Sequence, residues 1–218
     1  MLVNRKIFYE GFRKAFGKLT QENVDDLNFI LNKLDNSSMI SGSDWDIVKA
    51  KYAYIFATIY WETAQTFDPI SEKGSRRYLM AKPYYPYYGR GFGQLTWREN
   101  YRIFGLCIGV DLVNNPYLAN EPENAWKILE EGMTRSGGPG RDANFTGLTL
   151  NEVFDNGWED EIELVKLMVK ARRIINGTDK ANTIADIAMK FFSFIELTDE
   201  PQSDIAFEEN ENNIPGAN

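Results

Sequence analysis

Apolar residues recur at helical spacing along most of this chain. Ile7, Phe8, Phe12, Ala15 and Phe16 form one stripe, and Val24, Leu27, Ile30, Leu31 and Leu34 form a second that opens at Thr20. After a loop from Asn36-Ser37-Ser38 to Gly42, Ser43 with Asp46 three positions on is expected to cap a longer helix through Trp61. Its second half, Tyr52 to Trp61, is apolar on nearly every face, which predicts a buried helix and is too short to span a bilayer. From Asp68 to Gly93 the periodicity fails while Pro69, Gly74, Pro83, Pro86, Gly89, Gly91 and Gly93 accumulate. An extended loop region with a small hairpin is expected there.

Helical spacing resumes at Thr96, expected to form a capping box with Glu99. Asn120 before Glu121-Pro122 starts another helix, which Gly137-Gly138-Pro139-Gly140 is expected to end, and Thr149 with Glu152 makes a further capping box. The last helices are predicted from about Glu159 to Ile174 and Asp179 to Ile195. The pattern implies a mostly α-helical chain without internal repeats.

Composition adjusts this picture in three places. A length of 218 residues, 43% of them hydrophobic, suits one compact domain. We place it at 1–197, with N-terminal helices at 1–35 and a core at 43–195. The net charge of -8 is uneven, because Asp199, Glu200, Asp204, Glu208, Glu209 and Glu211 close the sequence without Lys or Arg. Residues 198–218 therefore read as an acidic, solvated tail or a partner-binding one, and the body offers no general drive toward nucleic acid. The one cysteine, Cys107, allows no internal disulfide and points to synthesis in a reducing compartment. Met1 to Leu19 shows no export-signal pattern, so a protein without its own signal or integral membrane segment is expected. In that N-terminal segment Arg5, Lys6, Arg13, Lys14 and Lys18 flank the phenylalanine stripe. This is either a surface helix packed on the core or a contact for anionic envelope polymers or lipid.

The chain has no histidine. Ser-His-Asp triads, Cys-His nucleophiles and His-based zinc sites are thereby excluded, and acid–base work near neutral pH falls to Asp, Glu, Tyr or Lys. Glu62 ends the buried helix, where desolvation and the helix dipole favour the protonated form that a general acid needs. It could equally reach solvent past the last turn. Glu72 follows in a charged loop with Lys73, Arg76 and Arg77, where an ionised general base or an inert surface residue would both fit. Downstream, Tyr87-Tyr88-Gly89-Arg90-Gly91-Phe92-Gly93-Gln94-Leu95-Thr96-Trp97 combines glycines that permit close approach with aromatics that can stack on sugar rings. Gln94, Thr96 and Asn100 offer amide and hydroxyl groups around a helix start. Arg90 could instead be a buried structural cation and Thr96 simply a cap.

Trp61-Glu62-Thr63, the stretch Tyr87 to Thr96, Asn100-Tyr101, Val110 to Pro116 and Arg173-Ile174-Ile175-Asn176-Gly177 together resemble the family 19 glycoside hydrolases, the plant-type chitinases and related bacteriophage endolysins. The resemblance implies a lysozyme-like, two-lobed helical domain with a small loop or β-hairpin region beside its cleft. It implies Glu62 as general acid, Glu72 as general base, and Thr96 helping to hold the attacking water. Tyr88, Gln94, Asn100 and Asn176 would bind substrate, with inversion at the anomeric carbon and no metal or organic cofactor. Trp61 stands where the family has histidine, and Thr178-Asp179-Lys180 replaces its Arg-rich continuation. The scarcity of cysteine favours the endolysin branch. Peptidoglycan strands are then the expected partner, with chitin or a non-hydrolytic wall-binding or virion role as alternatives. A monomer made in a host bacterial cytoplasm and acting on the wall after release is expected, or one carried in the virion.

Overall fold

The computed structural model describes residues 1–40, 42–135 and 145–204, and among these the chain is mostly helical. Strand β1 (Leu2–Val3), helix α1 (Arg5–Phe16) and helix α2 (Gln21–Asp35) lead into the apolar helix α3 (Trp45–Glu62). Thr20 and Asn23 form a reciprocal cap on α2. The cap of α3 is Asp44 rather than Ser43: its carboxylate accepts from the N–H groups of Asp46 and Ile47 at 2.9 and 3.2 Å. A charged acceptor at the positive end of a helix outcompetes the neighbouring hydroxyl.

The loop region contains more order than its composition suggests. Strand β2 (Ile70–Ser71) pairs antiparallel with β3 (Arg90–Gly91), and between them Ser75 caps a one-turn helix, α4 (Arg76–Met80). Gly91 adopts φ +77, and a Cβ there would meet the carbonyl of Ala119 at 2.7 Å, so only glycine fits this crossing. Helix α5 (Arg98–Ile108) begins after Trp97, whose φ is 77. The expected Thr96–Glu99 box does not form: Thr96 turns its hydroxyl to the carbonyl of Gln94, and Glu99 pairs with Arg102. The left-handed Trp97 rotates Thr96 away from the helix amides.

A 3-10 turn (Pro116–Asn120) precedes α6 (Pro122–Thr134), with Pro122 in the first turn and Glu121 at the cap position expected for Asn120. Asn120 is used elsewhere, accepting from the Gly91 amide and donating to Ser71, which pins the hairpin. The expected stop at 137–140 lies outside the described residues. Helix α7 (Leu150–Phe154) carries the Thr149–Glu152 box, α8 (Glu161–Ala171) continues into a 3-10 turn (Arg172–Ile174), and α9 (Ala181–Phe194) ends before β4 (Leu197–Thr198). Strand β4 pairs antiparallel with β1.

Two apolar cores result. In the larger, α3 packs against α9, and α3 is buried at every position from Tyr52 to Ile59, as its all-round hydrophobicity requires. The N-terminal stripe joins this core: Phe8 lies 4.9 Å from Phe56 and Phe16 lies 4.9 Å from Phe191, ring centroid to centroid. The smaller core gathers Leu95, Tyr101, Phe104, Leu112, Ala119 and Ile128. Phe145 packs against both. This is the two-lobed, lysozyme-like arrangement. Among the described residues no helix is long and apolar enough to cross a membrane. Residues 199–204 fold back, with Gln202 accepting from the Arg5 amide and Asp204 from Asn32; the acidic sequence from 205 lies outside the described residues.

One carboxylate of α2 is held against its preference. Burial, then Asp68, Asp25 and Glu22, push the Asp26 pKa up to about 6. Because the folded value lies above the unfolded one, this group favours folding most below the unfolded pKa, and that contribution is lost as pH rises through about 6. Asp26→Asn should therefore stabilise the protein at pH 7 by about 1 kcal/mol after allowance for solvent screening, a Tm gain of roughly 2–4 °C. Calorimetry at pH 7 and near pH 3 checks this. The gain should vanish at the lower pH, and equal gains at both would refute the charge-based account.

Candidate active site

Helix α3 delivers Glu62 to the seam between the two cores. Its end is fixed by Thr63, whose hydroxyl donates to the Ile59 carbonyl and accepts from the Phe67 amide at 3.1 Å. The chain then turns sharply through Ala64, Gln65 and Phe67, all at positive φ. Such a cluster of non-glycine residues in the left-handed region marks a segment held by its surroundings. Glu62 Oε1 accepts a 2.7 Å hydrogen bond from Arg172 Nη1 in an ion pair whose side chains are 14% and 4% exposed. Arg172 also donates through Nε to the carbonyl of Asp179. The acid candidate is thus tied to the 3-10 turn after α8 and to the loop that follows.

A cleft of about 350 Å³ opens at this point. Glu62, Ile175 and Asn176 come from the larger lobe, while Tyr84, Gly93 to Trp97 and Asn100 come from the smaller, and Phe145 lies between them. Its size is that of a small-molecule site. Gln94 at φ 50 spans the hairpin, donating from Nε2 to the carbonyls of Ile70 and Gly91 at 3.0 and 3.2 Å. A Cβ on Gly89 would stand 2.6 Å from Gln94 Oε1, so this glycine makes room for the amide. Asn100 donates to the Thr96 carbonyl at 2.8 Å, and Asn176 Oδ1 accepts from the Gly177 amide. These bonds orient polar groups around the cleft.

Glu72 follows β2 and is half-buried. Its amide donates to the Gly89 carbonyl at 2.7 Å, its Oε1 accepts from the Tyr84 hydroxyl at 3.0 Å, and its Oε2 faces the Gly89 amide at 3.4 Å. Tyr84 rather than Glu72 forms the adjoining cleft wall. Burial, then the bond to Glu72, raise the Tyr84 pKa, so the phenol remains a donor at neutral pH.

Tyr88 takes a different place from the one expected. It is buried with its ring 3.8 Å from the Arg90 guanidinium carbon and its hydroxyl 3.4 Å from that of Tyr117, and it is not part of the cleft wall. Arg90, 2% exposed, donates to the carbonyls of Pro86 and Tyr88 and to Tyr101. The second tyrosine of the motif is spent on holding this cation. The cleft instead presents Tyr84 and the half-exposed Trp97, set edge to face at 5.4 Å.

Arg172, Tyr84 and Phe145 were not legible as site residues in the sequence. For Arg172 there was a signal: it continues the buried stripe Leu164–Met168 by one further turn, and a cation on such a stripe needs a buried anion. Among the described residues, no three His, Cys, Asp or Glu side chains gather to hold a metal ion.

The two helical lobes meet at a polar cleft that holds the carboxylate of Glu62. Residues 39–128 match the family model for chitinase class I, glycoside hydrolase family 19. The chain is 25% identical to a bacterial family 19 chitinase of known structure, covering 89% of this chain and 95% of that one with a TM-score of 0.55. Chitinase C from Streptomyces griseus HUT6037 shares the fold, at 23% identity over 88% of this chain and 74% of that one, with a TM-score of 0.53. Locally, the chain is 47% identical over 57 residues to Endochitinase 1 of Theobroma cacao and 57% identical over 42 residues to Basic endochitinase B of Arabidopsis thaliana. These two matches take in 23% and 19% of this chain, and only 18% and 12% of those proteins' lengths. The family match takes in less than half of the chain, and the structural neighbours share the fold over most of it.

Proposed function

We propose that the cleft hydrolyses β-1,4 bonds in an N-acetylated glycan, and that the glycan is peptidoglycan, cut between N-acetylmuramic acid and N-acetylglucosamine. The observation that carries the hydrolase reading is the meeting of Glu62 with Gln94, Thr96, Asn100 and Asn176 in one interlobe cleft. In this reading Glu62, protonated on Oε2 while Oε1 accepts from Arg172, gives that proton to the leaving glycosidic oxygen as its bond to the anomeric carbon breaks. Glu72 takes a proton from the water whose oxygen forms the new bond, so each cut consumes one water and inverts the centre. Inversion calls for roughly 6.5–9.5 Å between the carboxyl groups, with the water between base and carbon. Thr96 is assigned to that water, while Gln94, Asn100 and Asn176 are assigned to sugar N-acetyl and hydroxyl groups. Arg172 holds Glu62 in place.

Peptidoglycan is preferred over chitin because one cysteine and no available disulfide suit an endolysin made in a bacterial cytoplasm and released onto the wall, or carried in a virion. Chitin is the second reading, favoured by the names of the relatives. Mass spectrometry of purified peptidoglycan and of chitin oligomers after incubation with the protein separates the two. New muramic-acid reducing ends support the first reading, cut chitin with intact peptidoglycan selects the second, and binding without cleavage of either leaves a wall-binding role.

A further inference from the structure

Tyr84 lines the cleft and touches the base candidate Glu72, and it makes two contacts of different kinds. The Tyr84 hydroxyl donates to Glu72 Oε1 at 3.0 Å, while its ring meets Trp97 edge to face at 5.4 Å and 76°. Tyr84 and Trp97 both line the cleft, and Trp97 is 50% exposed. We propose that Tyr84 is a positioning residue that couples sugar stacking on the Tyr84–Trp97 corner to the orientation of the base Glu72. This rests on the hydrolase reading above.

The geometry divides the labour between the carboxylate oxygens. Oε1 is engaged by the phenol, whereas the Gly89 amide stands at the longer distance of 3.4 Å from Oε2. The more weakly held Oε2 is the oxygen left to receive a proton from water. A carboxylate on a loop between β2 and α4 could otherwise rotate about its side-chain bonds, and a hydrogen bond to a charged acceptor is strong enough to choose one orientation. A sugar ring seated against Trp97 would press on the same Tyr84 ring and hold the phenol in place.

Tyr84→Phe keeps the ring and removes the donor. Its kcat on whichever glycan the parent cleaves should fall about 10-fold, with KM within about twofold of the parent. Trp97→Ala should raise KM about 10-fold, because a stacking platform has been lost, and should also lower kcat, because the sugar then no longer presses Tyr84 into place; an unchanged kcat would overturn the coupling. A readout independent of turnover is the titration of Tyr84 followed by NMR of ring-labelled tyrosine. In Glu72→Gln the phenol should titrate lower than in the parent, since the charged acceptor that helps raise it is gone. An active parent with parent-like kcat in Tyr84→Phe would overturn the coupling alone, as would a phenol indifferent to Glu72→Gln. A parent that cleaves neither glycan overturns the hydrolase reading and the kinetic role together.

Discussion

Glu62→Gln should abolish most glycan cleavage while leaving the protein folded. The amide carbonyl can still accept from Arg172 Nη1, so the 2.7 Å contact that anchors the end of α3 has a neutral replacement, but no proton can be delivered to a leaving oxygen. General acid catalysis contributes about 10²–10⁴-fold, and the rate should fall by that factor. Initial rates of soluble fragment release, paired with circular dichroism of both proteins, make the measurement. A variant with the parent's rate would remove Glu62 from the chemistry, whereas a variant that loses its helical signal would show that the ion pair is needed for folding. KM should change little, because Gln94, Asn100 and Asn176 still line the cleft.

The second large effect concerns Arg172. Arg172→Ala takes away both the partner of Glu62 and the bond to the Asp179 carbonyl, leaving a carboxylate that is 14% exposed without its cation. Breaking one side of a buried pair costs about 3–5 kcal/mol, which for a chain of this size lowers Tm by on the order of 10 °C. Replacing both partners by apolar residues of similar bulk, as in Glu62→Leu with Arg172→Met, should recover much of that stability, since the desolvation cost of both ions disappears together. The double variant should remain inactive. Thermal denaturation of the single and double variants tests this: equal losses in both would mean that the pair contributes by packing alone. Recovery of stability in the double variant would show that folding does not need the ion pair.

The contrast between these residues explains how much could be read from the sequence. Helix periodicity located the two N-terminal helices, the buried helix ending at Glu62 and the final helical pair, because each must bury a continuous apolar face. The polar cleft residues were legible because Gln94, Thr96 and Asn100 sit within a few positions of one another beside glycines. Less visible were features created by distant segments. Arg172 meets Glu62 across 110 residues, and Phe145 reaches the cleft between two cores that no local pattern defines. Tyr88 shows the opposite case. An aromatic beside Gly-Arg-Gly looks like a sugar platform in isolation, but the buried guanidinium next to it claims the ring. Helix boundaries slipped for electrostatic and backbone reasons at Asp44 and at the left-handed Trp97.

The pairing of β1 with β4 also has a temporal meaning. The Arg5 amide and its acceptor Gln202 are 197 residues apart, and the phenylalanines of α1 lie against Phe191 and Phe194 of α9. At about 5–20 residues per second, a ribosome needs roughly 10–40 s to make the partner after the first helix emerges. Throughout that interval Phe8, Phe12 and Phe16 can pack only on earlier segments such as Phe56, Phe67 and Tyr60, so this face of the core is completed only when α9 has been made.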